Sequence, residues 1–219
     1  MKPGLVLLIS GRGSNALAII DAVESGRVPG EVRAVIADRP AQGLELAAAR
    51  GIDTVLIPRK AFAKRSAFEH DLGEVIAAFE PELVALAGFM RVLSPEFVDA
   101  HAGRLLNIHP SLLPRHRGLD THARALAAGD RMHGASVHWV TAELDGGPVI
   151  AQAHVPVLPD DDPQRLAARV LEQEHRLYPA VLALLLREGV STHHESKTTR
   201  KPLVLDRGLD DRGNRCSTS

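Results

Sequence analysis

Cysteine, aromatic residues and long hydrophobic runs are all scarce in this sequence. Its 219 residues include one cysteine, Cys216, so no disulfide can form within the chain, which is typical of a reducing compartment. Apolar runs such as 83–87 and 181–186 fall well short of the roughly 20 residues that a membrane-spanning helix needs. The N-terminus shows no signal-peptide cleavage pattern. These features predict a cytoplasmic protein with no membrane partner.

An excess of either charge is missing as well. The chain has 26 Lys and Arg against 27 Asp and Glu, a net charge of −1. Without a basic excess, no global field attracts nucleic acid, so we expect no nucleic-acid partner. The composition is 45% hydrophobic and 24% charged, which is close to the globular average. It therefore excludes collagen-like, coiled-coil and wholly disordered chains.

Apolar strand-like runs alternate with segments of helix length. Strands are predicted at 5–9, 32–37, 54–57, 83–87 and 105–109, with helices at 15–23, 43–50, 65–79, 95–102 and 121–128. Such alternation implies parallel strands joined by right-handed crossovers. The run 83–87 is apolar throughout, as expected of a central strand covered on both faces. The sequence therefore predicts an α/β fold: a single-domain, Rossmann-like, open and mostly parallel twisted sheet with helices on both faces.

The last third of the chain is predicted differently. Strands at 136–140 and 150–157, joined through an Asp-Gly-Gly turn, are candidates for an antiparallel pair. Acidic residues before Pro163 predict the start of a helix that Pro179 is expected to kink or split. From residue 193 onward only 203–205 interrupts a polar, charged stretch. We therefore expect a folded domain over 1–190 and a mostly disordered tail over 191–219.

A glycine-rich turn, Gly11-Arg12-Gly13-Ser14-Asn15, lies between the first strand and the first helix. Glycines let backbone N–H groups approach an anion, and the helix N-terminus supplies positive potential, so the turn predicts a phosphate site. Alternatively, Ser14 is only an N-cap and the glycines only form the turn. The turn, followed by Ala16 and later by Asp38, also fits the loose dinucleotide pattern, so it does not distinguish a phosphorylated substrate from NAD.

Two polar residues, Asn107 and His109, alternate along the strand 105–109. Residues two apart share one face of a strand, so both side chains emerge together at a strand end beside the predicted sheet centre, where open α/β sheets bind ligands. A lone histidine there is often only structural. Asp145 is most simply a turn residue, because its carboxylate can cap the amides that follow it. If it reaches His109, however, it favours the imidazolium, and the three residues could polarise and protonate a carbonyl oxygen.

Four strings resemble the phosphoribosylglycinamide formyltransferase family of purine biosynthesis. They occur in the family's order and cover the chain from about residue 5 to 186: Ser10-Gly11-x-Gly13-Ser14-Asn15, Ala87-Gly88-Phe89-Met90-Arg91, Leu106-Asn107-Ile108-His109-Pro110-Ser111-Leu112-Leu113-Pro114 and Glu143-Leu144-Asp145-Gly146-Gly147-Pro148. The resemblance implies a formyl transfer from 10-formyltetrahydrofolate to the amine of 5-phosphoribosylglycinamide. It implies no metal and no NAD, and it leaves monomer and homodimer open.

The resemblance also implies residue roles. Asn107, His109 and Asp145 would form the catalytic trio. Gly13, Ser14 and Asn15 would hold the ribose 5-phosphate, with Glu174 as a carboxylate on the same side. The folate would contact Arg65, Met90, Arg91, Val92, Leu93, Asn107, Thr141, Ala142, Glu143, Leu144 and Asp145. Asp120 stands where the family pattern has a histidine, and no role is carried onto Arg12.

Several alternatives stay open at this point. Methionyl-tRNA formyltransferase and formyltetrahydrofolate hydrolase resemble the same core with an added domain, and a tRNA partner would need a large phosphate-neutralising surface. An NAD-binding oxidoreductase is supported only by the glycine pattern and Asp38. A non-catalytic nucleotide-binding module would have no use for a convergent Asn107, His109 and Asp145.

Overall fold

A computed structural model describes residues 2–188 and 203–205 and contains one eight-stranded sheet. Its strands, in the order β3-β2-β1-β4-β5-β6-β7-β8, are β1 (Gly4–Ile9), β2 (Glu31–Ala37), β3 (Asp53–Leu56), β4 (Leu83–Leu86), β5 (Leu105–His109), β6 (Met132–Trp139), β7 (Val149–Pro156) and β8 (Leu203–Leu205). The first five are parallel, β6 is antiparallel to both neighbours, and β8 runs parallel to β7. The predicted α/β class is confirmed, as is the antiparallel pair.

Helices cover both faces of the sheet, and the central strands β1 and β4 bury side chains on both sides. They are α1 (Ser14–Glu24), α2 (Gln42–Ala48), α3 (Arg65–Ala78), α4 (Pro95–Ala100), α5 (Thr121–Ala127) and α6 (Pro163–Glu188), with a short 3₁₀ turn at Arg59–Ala61. One apolar cluster joins the sheet to α1 and α6, and the other joins it to α3 and α4. Strand β4 is buried along its whole length, as its apolar sequence predicts.

Helix α6 is continuous through Pro179, so the expectation that this residue splits the helix is wrong. Proline removes one helical hydrogen bond, but Leu177, Tyr178 and Val181 around it are buried in the core. The hydroxyl of Tyr178 lies 3.0 Å from the carbonyl oxygen of Leu106 and 3.3 Å from that of Leu86, and donates to them. Packing against the middle of the sheet therefore offsets the loss at Pro179.

One short segment of the predicted tail lies within the described residues. Residues 203–205 form β8, whose register pairs Ala151 of β7 with Leu203 and Ala153 with Leu205. This short apolar interruption extends the sheet because the outer edge of β7 offers unpaired backbone groups. The rest of the predicted tail, and the proposed domain boundary near 190, lie outside the described residues.

The order of the strands places ligand-binding loops at one point. Strand β1 pairs with β2 on one side and with β4 on the other, so the chain's winding direction reverses at β1. Ligands of open α/β sheets bind at such a switch point, outside the carboxyl ends of the strands. The loops that follow β1, β4 and β5 all begin there. Among the described helices, none is both long enough and apolar enough to cross a membrane.

Candidate active site

Asn107 and His109 lie on the same face of β5, as the strand alternation predicts. Asn107 is half-buried and His109 is 6% exposed, while Leu106 and Ile108 between and before them pack into the core. The two polar side chains therefore lie at the carboxyl end of β5, which borders the antiparallel strand β6. This position shelters both side chains partly from solvent.

Asp145 reaches His109 across the sheet end. Its Oδ2 atom lies 3.4 Å from Nδ1 of His109 and accepts a hydrogen bond of 2.8 Å from the backbone N–H of Gly118. Asp145 has a φ of 49°, so it is also a turn residue, and the left-handed backbone directs its carboxylate back toward β5. Sequence separation gave no reason to place these side chains together; the family resemblance did.

Both ring nitrogens of His109 face oxygen acceptors. Nε2 lies 3.0 Å from the carbonyl oxygen of His116 and donates to it, while Nδ1 faces the Asp145 carboxylate. A neutral imidazole has one N–H, so both contacts are satisfied together only when both nitrogens carry a proton. The arrangement therefore suits a histidine that holds and releases a proton on its Nδ1 side.

His138 is a site residue that the sequence analysis missed. It lies opposite Asn107 in the β5–β6 pair, with Nε2 3.1 Å from Nδ2 of Asn107. Its Nδ1 donates to the carbonyl oxygen of Trp139 at 2.9 Å, so Nε2 of the neutral ring accepts from Asn107. Burial lowers the pKa of His138, which keeps the ring neutral near pH 7. One N–H of Asn107 is thereby held, and the amide is oriented.

The glycine-rich turn has the geometry of an anion site, with one correction. Gly13, not Ser14, is the N-cap of α1, and no side chain caps the helix, so the N-cap interpretation of Ser14 is wrong. Gly13 has a φ of 74°, and a Cβ there would lie 3.0 Å from Cα of Gly43. A side chain is therefore excluded twice, by conformation and by the close approach of α2. The first N–H groups of α1 have no partner within the helix.

The side chain of Asn15 already uses one of its two amide N–H groups. Its Nδ2 donates to Oε2 of Glu174 on α6 at 2.6 Å, and both residues are buried. Burial raises the pKa of Glu174, and this hydrogen bond acts against that rise. Oδ1 of Asn15 is buried without a partner among the described residues. The pair joins the turn to α6 and leaves one acceptor atom open.

Three contacts anchor the loop that follows β4. The backbone N–H of Met90 donates to Oγ of Ser10 at 2.8 Å, Nε of Arg91 lies 2.5 Å from Oδ2 of Asp38, and a guanidinium N–H of Arg65 donates to the carbonyl oxygen of Val92 at 2.6 Å. This loop, 88–93, is therefore tied to the end of β1, to the end of β2 and to the start of α3.

The carboxylate of Asp38 helps to anchor loop 88–93 and is not open to a dinucleotide ribose. Arg39 and Arg91 occupy both of its carboxylate oxygens. Burial acts to raise the pKa of Asp38, but hydrogen bonds from Arg39, Ser10 and Arg91 outweigh it and hold the pKa below its usual value. Dinucleotide binding requires a carboxylate open to the ribose hydroxyls, and that feature is missing here.

The remaining residues assigned to folate contacts differ in how far they are exposed to solvent. Met90, Val92 and Leu144 are large apolar side chains that are 63%, 59% and 52% exposed. Thr141, Ala142 and Glu143 are exposed as well. Leu93, in contrast, is 6% exposed and belongs to the core under α3 and α4, so its side chain does not line an open pocket. Exposed apolar groups beside a polar trio suit a flat, partly apolar ligand.

A separate cleft of about 640 Å³ lies between α3 and α4 and includes Arg65, Glu69 and His101. Arg65 also donates to Glu69 at 2.8 Å, which fixes its side chain at the rim of the cleft. The cleft contains none of the three residues of the trio. Within residues 2–188 and 203–205, no group of three or more His, Cys, Asp or Glu side chains is arranged to hold a metal ion.

The chain resembles known proteins over nearly all of the described fold. The model of the formyl transferase family matches residues 4–182. The chain is 53% identical over 180 residues to phosphoribosylglycinamide formyltransferase of Escherichia coli (strain K12), covering 82% of this chain and 85% of that protein. It is 39% identical over 201 residues to the protein of that name from Mycobacterium tuberculosis (strain CDC 1551 / Oshkosh), covering 92% and 93%.

The chain belongs to the formyl transferase family. A solved phosphoribosylglycinamide formyltransferase from Coxiella burnetii, in complex with CHES, superposes with a TM-score of 0.82 at 47% identity, covering 86% of this chain and 89% of that one. The family resemblance stated from the motifs is confirmed. In this formyltransferase Asp120, where the motif resemblance leads us to expect a histidine, is exposed, is the N-cap of α5 with a φ of 55° and makes no side-chain capping bond.

Proposed function

We propose that this formyltransferase moves the formyl group of 10-formyltetrahydrofolate to the primary amine of 5-phosphoribosylglycinamide. The observation that carries the proposal is that Asp145 lies 3.4 Å from His109 and 3.7 Å from His138, the residue that Asn107 contacts. The similar proteins from Escherichia coli and Mycobacterium tuberculosis are named phosphoribosylglycinamide formyltransferase. The proposed products are the N-formyl amide and tetrahydrofolate.

The chemistry of the reaction matches the donors in the trio. When the amine nitrogen bonds to the formyl carbon, negative charge develops on the formyl oxygen, and the bond from that carbon to the folate nitrogen then breaks. Asn107 has a second N–H that His138 does not use, and protonated His109 offers a charged N–H. Both suit stabilisation of that oxygen. The proton lost by the amine must reach the leaving nitrogen, and Asp145 with His109 offers a route.

The proposed site for the ribose 5-phosphate is the turn at Gly13–Asn15. Its support is the unpaired N–H groups of the first helical turn and the positive end of the helix dipole. Glu174 and Oδ1 of Asn15 are acceptors at the same end of α1, suited to the hydroxyl and amine groups of a glycosylamine. The side chain of Ser14, which is half-buried, is the proposed additional donor.

The proposed folate-binding surface combines loop 88–93 with the segment 141–145. Exposed Met90, Val92 and Leu144 suit the faces of an aromatic ring system, and the anchored backbone of the loop offers polar groups at fixed positions. Arg65 is proposed to contact a carboxylate of the ligand, in keeping with its position at the rim beside Val92. The single cysteine supports the proposal that the reaction takes place in the cytoplasm.

A direct assay tests the proposal. The purified protein with 10-formyltetrahydrofolate and 5-phosphoribosylglycinamide should release tetrahydrofolate and the N-formyl product in equal amounts. Initiator methionyl-tRNA, water alone and NAD with a reduced substrate serve as competing substrates, and each should give no product. We propose that neither metal nor NAD takes part, so dialysis against a chelator should leave the rate unchanged. Formyl transfer to the tRNA, or a rate that metal restores, would contradict the proposal.

A further inference from the structure

A buried carboxylate lies behind the loop that contacts His109. Oδ2 of Asp130 lies 2.7 Å from Nε2 of His116, and Oδ1 lies 2.8 Å from a guanidinium nitrogen of Arg115. The Asp130 side chain is 5% exposed and that of His116 is 12% exposed, whereas Arg115 is 63% exposed. The hydrogen bond from His116, together with the charge of Arg115, lowers the pKa of Asp130. This carboxylate is therefore ionised near neutral pH and holds two successive residues of the loop.

The backbone of His116 needs such support. Its φ is 54°, in the left-handed region that residues with a side chain rarely adopt. Such conformations persist where surrounding contacts fix them, and they concentrate at functional sites. In this conformation the carbonyl of His116 is directed to Nε2 of His109, 3.0 Å away. The ring of the same residue is held by Asp130, so the side-chain contact and the backbone contact belong to one unit.

The carbonyl of His116 determines which ring nitrogen of His109 can gain and lose a proton. A carbonyl oxygen only accepts, so Nε2 must carry a proton in every state that keeps this contact. The nitrogen that gains and loses its proton is then Nδ1. Nδ1 lies 3.4 Å from Oδ2 of Asp145, which is longer than a usual hydrogen bond and leaves Nδ1 open to a ligand atom.

We propose that Asp130, acting through the ring of His116, is a positioning residue that keeps the proton of His109 on Nε2 and so reserves Nδ1 for the reacting groups. The proposal rests on the formyl-transfer function proposed above. Neither Asp130 nor His116 is part of the trio, and neither is among the residues proposed to bind the substrates. The pair acts on the tautomer and orientation of the ring, as the carboxylate partners of other catalytic and metal-binding histidines do.

Neighbouring histidines leave Asp130 as the acceptor for His116. The ring of His133 lies edge-on to that of His116, with centroids 6.0 Å apart, and Nε2 of His133 lies 3.1 Å from Nδ1 of His122. Burial lowers the pKa of His133 to about 4 and lowers that of His122 as well, so both rings are neutral near pH 7. Asp130, two residues before β6, therefore pairs with His116 and with Arg115 of the same loop.

Nitrogen NMR of the histidine rings tests the proposal directly. Long-range ¹H–¹⁵N spectra of the full-length protein, with the His109 signals assigned from a His109→Gln variant, report which nitrogen carries the proton in the neutral ring. In the unchanged protein, neutral His109 should be protonated on Nε2. In Asp130→Asn and in His116→Leu, which keeps the backbone carbonyl but loses the ring contact, the spectra should show a mixture of the two tautomers. Two variants are used in case one of them fails to fold.

Kinetics give the second measurement. In both variants kcat should fall roughly 10- to 100-fold, because a misplaced catalytic group loses rate steeply, while KM for both substrates stays within about twofold. Asp161→Asn is the matched control, since Asp161 is another buried carboxylate paired with an arginine, Arg169. Unchanged Nε2 protonation, or a kcat equal to that of the control, would overturn the proposal. An unchanged protein that transfers no formyl group refutes the proposed function alone, because the NMR result does not depend on activity.

Discussion

Asn107 on β5 and His138 on the antiparallel neighbour β6 lie opposite each other, and the amide of Asn107 donates to the neutral ring of His138 at 3.1 Å. His138 in turn is held by the carbonyl oxygen of its own neighbour, Trp139. The orientation of Asn107 is therefore set by a hydrogen-bond chain that ends on the backbone of β6. A donor for a developing negative charge is effective when it is positioned before the reaction begins.

Loss of the His138 acceptor should lower kcat and leave substrate affinity nearly unchanged. We expect His138→Leu to lower kcat on the order of 10-fold, because the Asn107 amide stays present but is free to rotate. His138→Gln, whose side-chain oxygen can accept the same bond, should recover part of the loss. Steady-state kinetics measure both effects. The control is His154→Leu in β7, which should be close to unchanged; an equal loss in the control would show that the effect is general to the sheet.

Asp145 and His109 should behave as one unit. Asp145→Asn keeps an oxygen that can accept from Gly118 but removes the charge near His109, so kcat should fall by a factor on the order of 10² to 10⁴ with binding mostly retained. His109→Ala should be comparably severe. The double variant should lose much less than the product of the two single losses. A near-normal kcat in Asp145→Asn would reduce Asp145 to a turn residue.

The local parts of this site could be predicted from the sequence. Strand alternation put Asn107 and His109 on one face, and the apolar run at β4 placed the centre of the sheet. Both predictions depend on neighbours within a few residues, for which the periodicity of the chain is sufficient. The proximity of Asp145 to His109 was predicted only from the family resemblance, because the local sequence does not indicate which distant side chain the turn at Asp145 approaches.

The missed residues depend on register and loop conformation. Ser136 and His138 alternate as Asn107 and His109 do, which was a usable signal, but the pairing of 107 with 138 follows from a register that the sequence does not determine. His116 acts through a carbonyl in a left-handed conformation within a long loop. Such a conformation is set by tertiary contacts, here with Asp130, and no periodic pattern predicts it.

Substitution of Gly13 should weaken binding of the phosphorylated amine, and a control variant separates this effect from backbone strain at a positive φ. Gly13→Ala places a Cβ 3.0 Å from Cα of Gly43 and moves the backbone at the start of α1, so KM for the phosphorylated amine should rise roughly 10-fold. KM for the folate should stay near that of the unchanged protein. Gly26→Ala is the matched control, because Gly26 has the same φ of 74° at the other end of α1 and open space around it. A folate-specific effect of Gly13→Ala would contradict the assignment of the loop.

Removal of the tail should affect association more than catalysis. A chain that ends at residue 190 should keep its kcat, since β8 lies at the edge of the sheet, two strands from β6 and three from β5. It loses the strand that pairs with β7, however, and an uncovered edge promotes pairing between molecules. Light scattering after gel filtration should therefore show more self-association than in the full chain. Loss of folding on truncation would show that residues beyond 190 contribute more than an edge strand.

His133 should make the protein less stable in acid. Burial, with the nearby His122 and His116, lowers the pKa of His133 from 6.5 to about 4. Between these two pH values the unfolded chain binds a proton that the folded chain does not, so the free energy of unfolding falls as the pH drops. Because each pKa unit corresponds to about 1.4 kcal/mol, the contribution of this buried residue is on the order of 3 kcal/mol. This loss of stability is absent above pH 6.5 and complete only below pH 4.

The variant His133→Gln isolates this contribution. Urea unfolding at pH 7.5 and pH 5 gives the change in free energy for each protein, and the change should be smaller in the variant by roughly 1.4 kcal/mol per pH unit within the window. The raised pKa of Glu174 gives a contribution of the opposite sign in acid, but it is common to both proteins and cancels in the comparison. An equal pH dependence in the two proteins would show that His133 is protonated in the folded state. Its ring would then need a carboxylate partner, and the candidate is Asp130, whose charge acts to raise the pKa of His133.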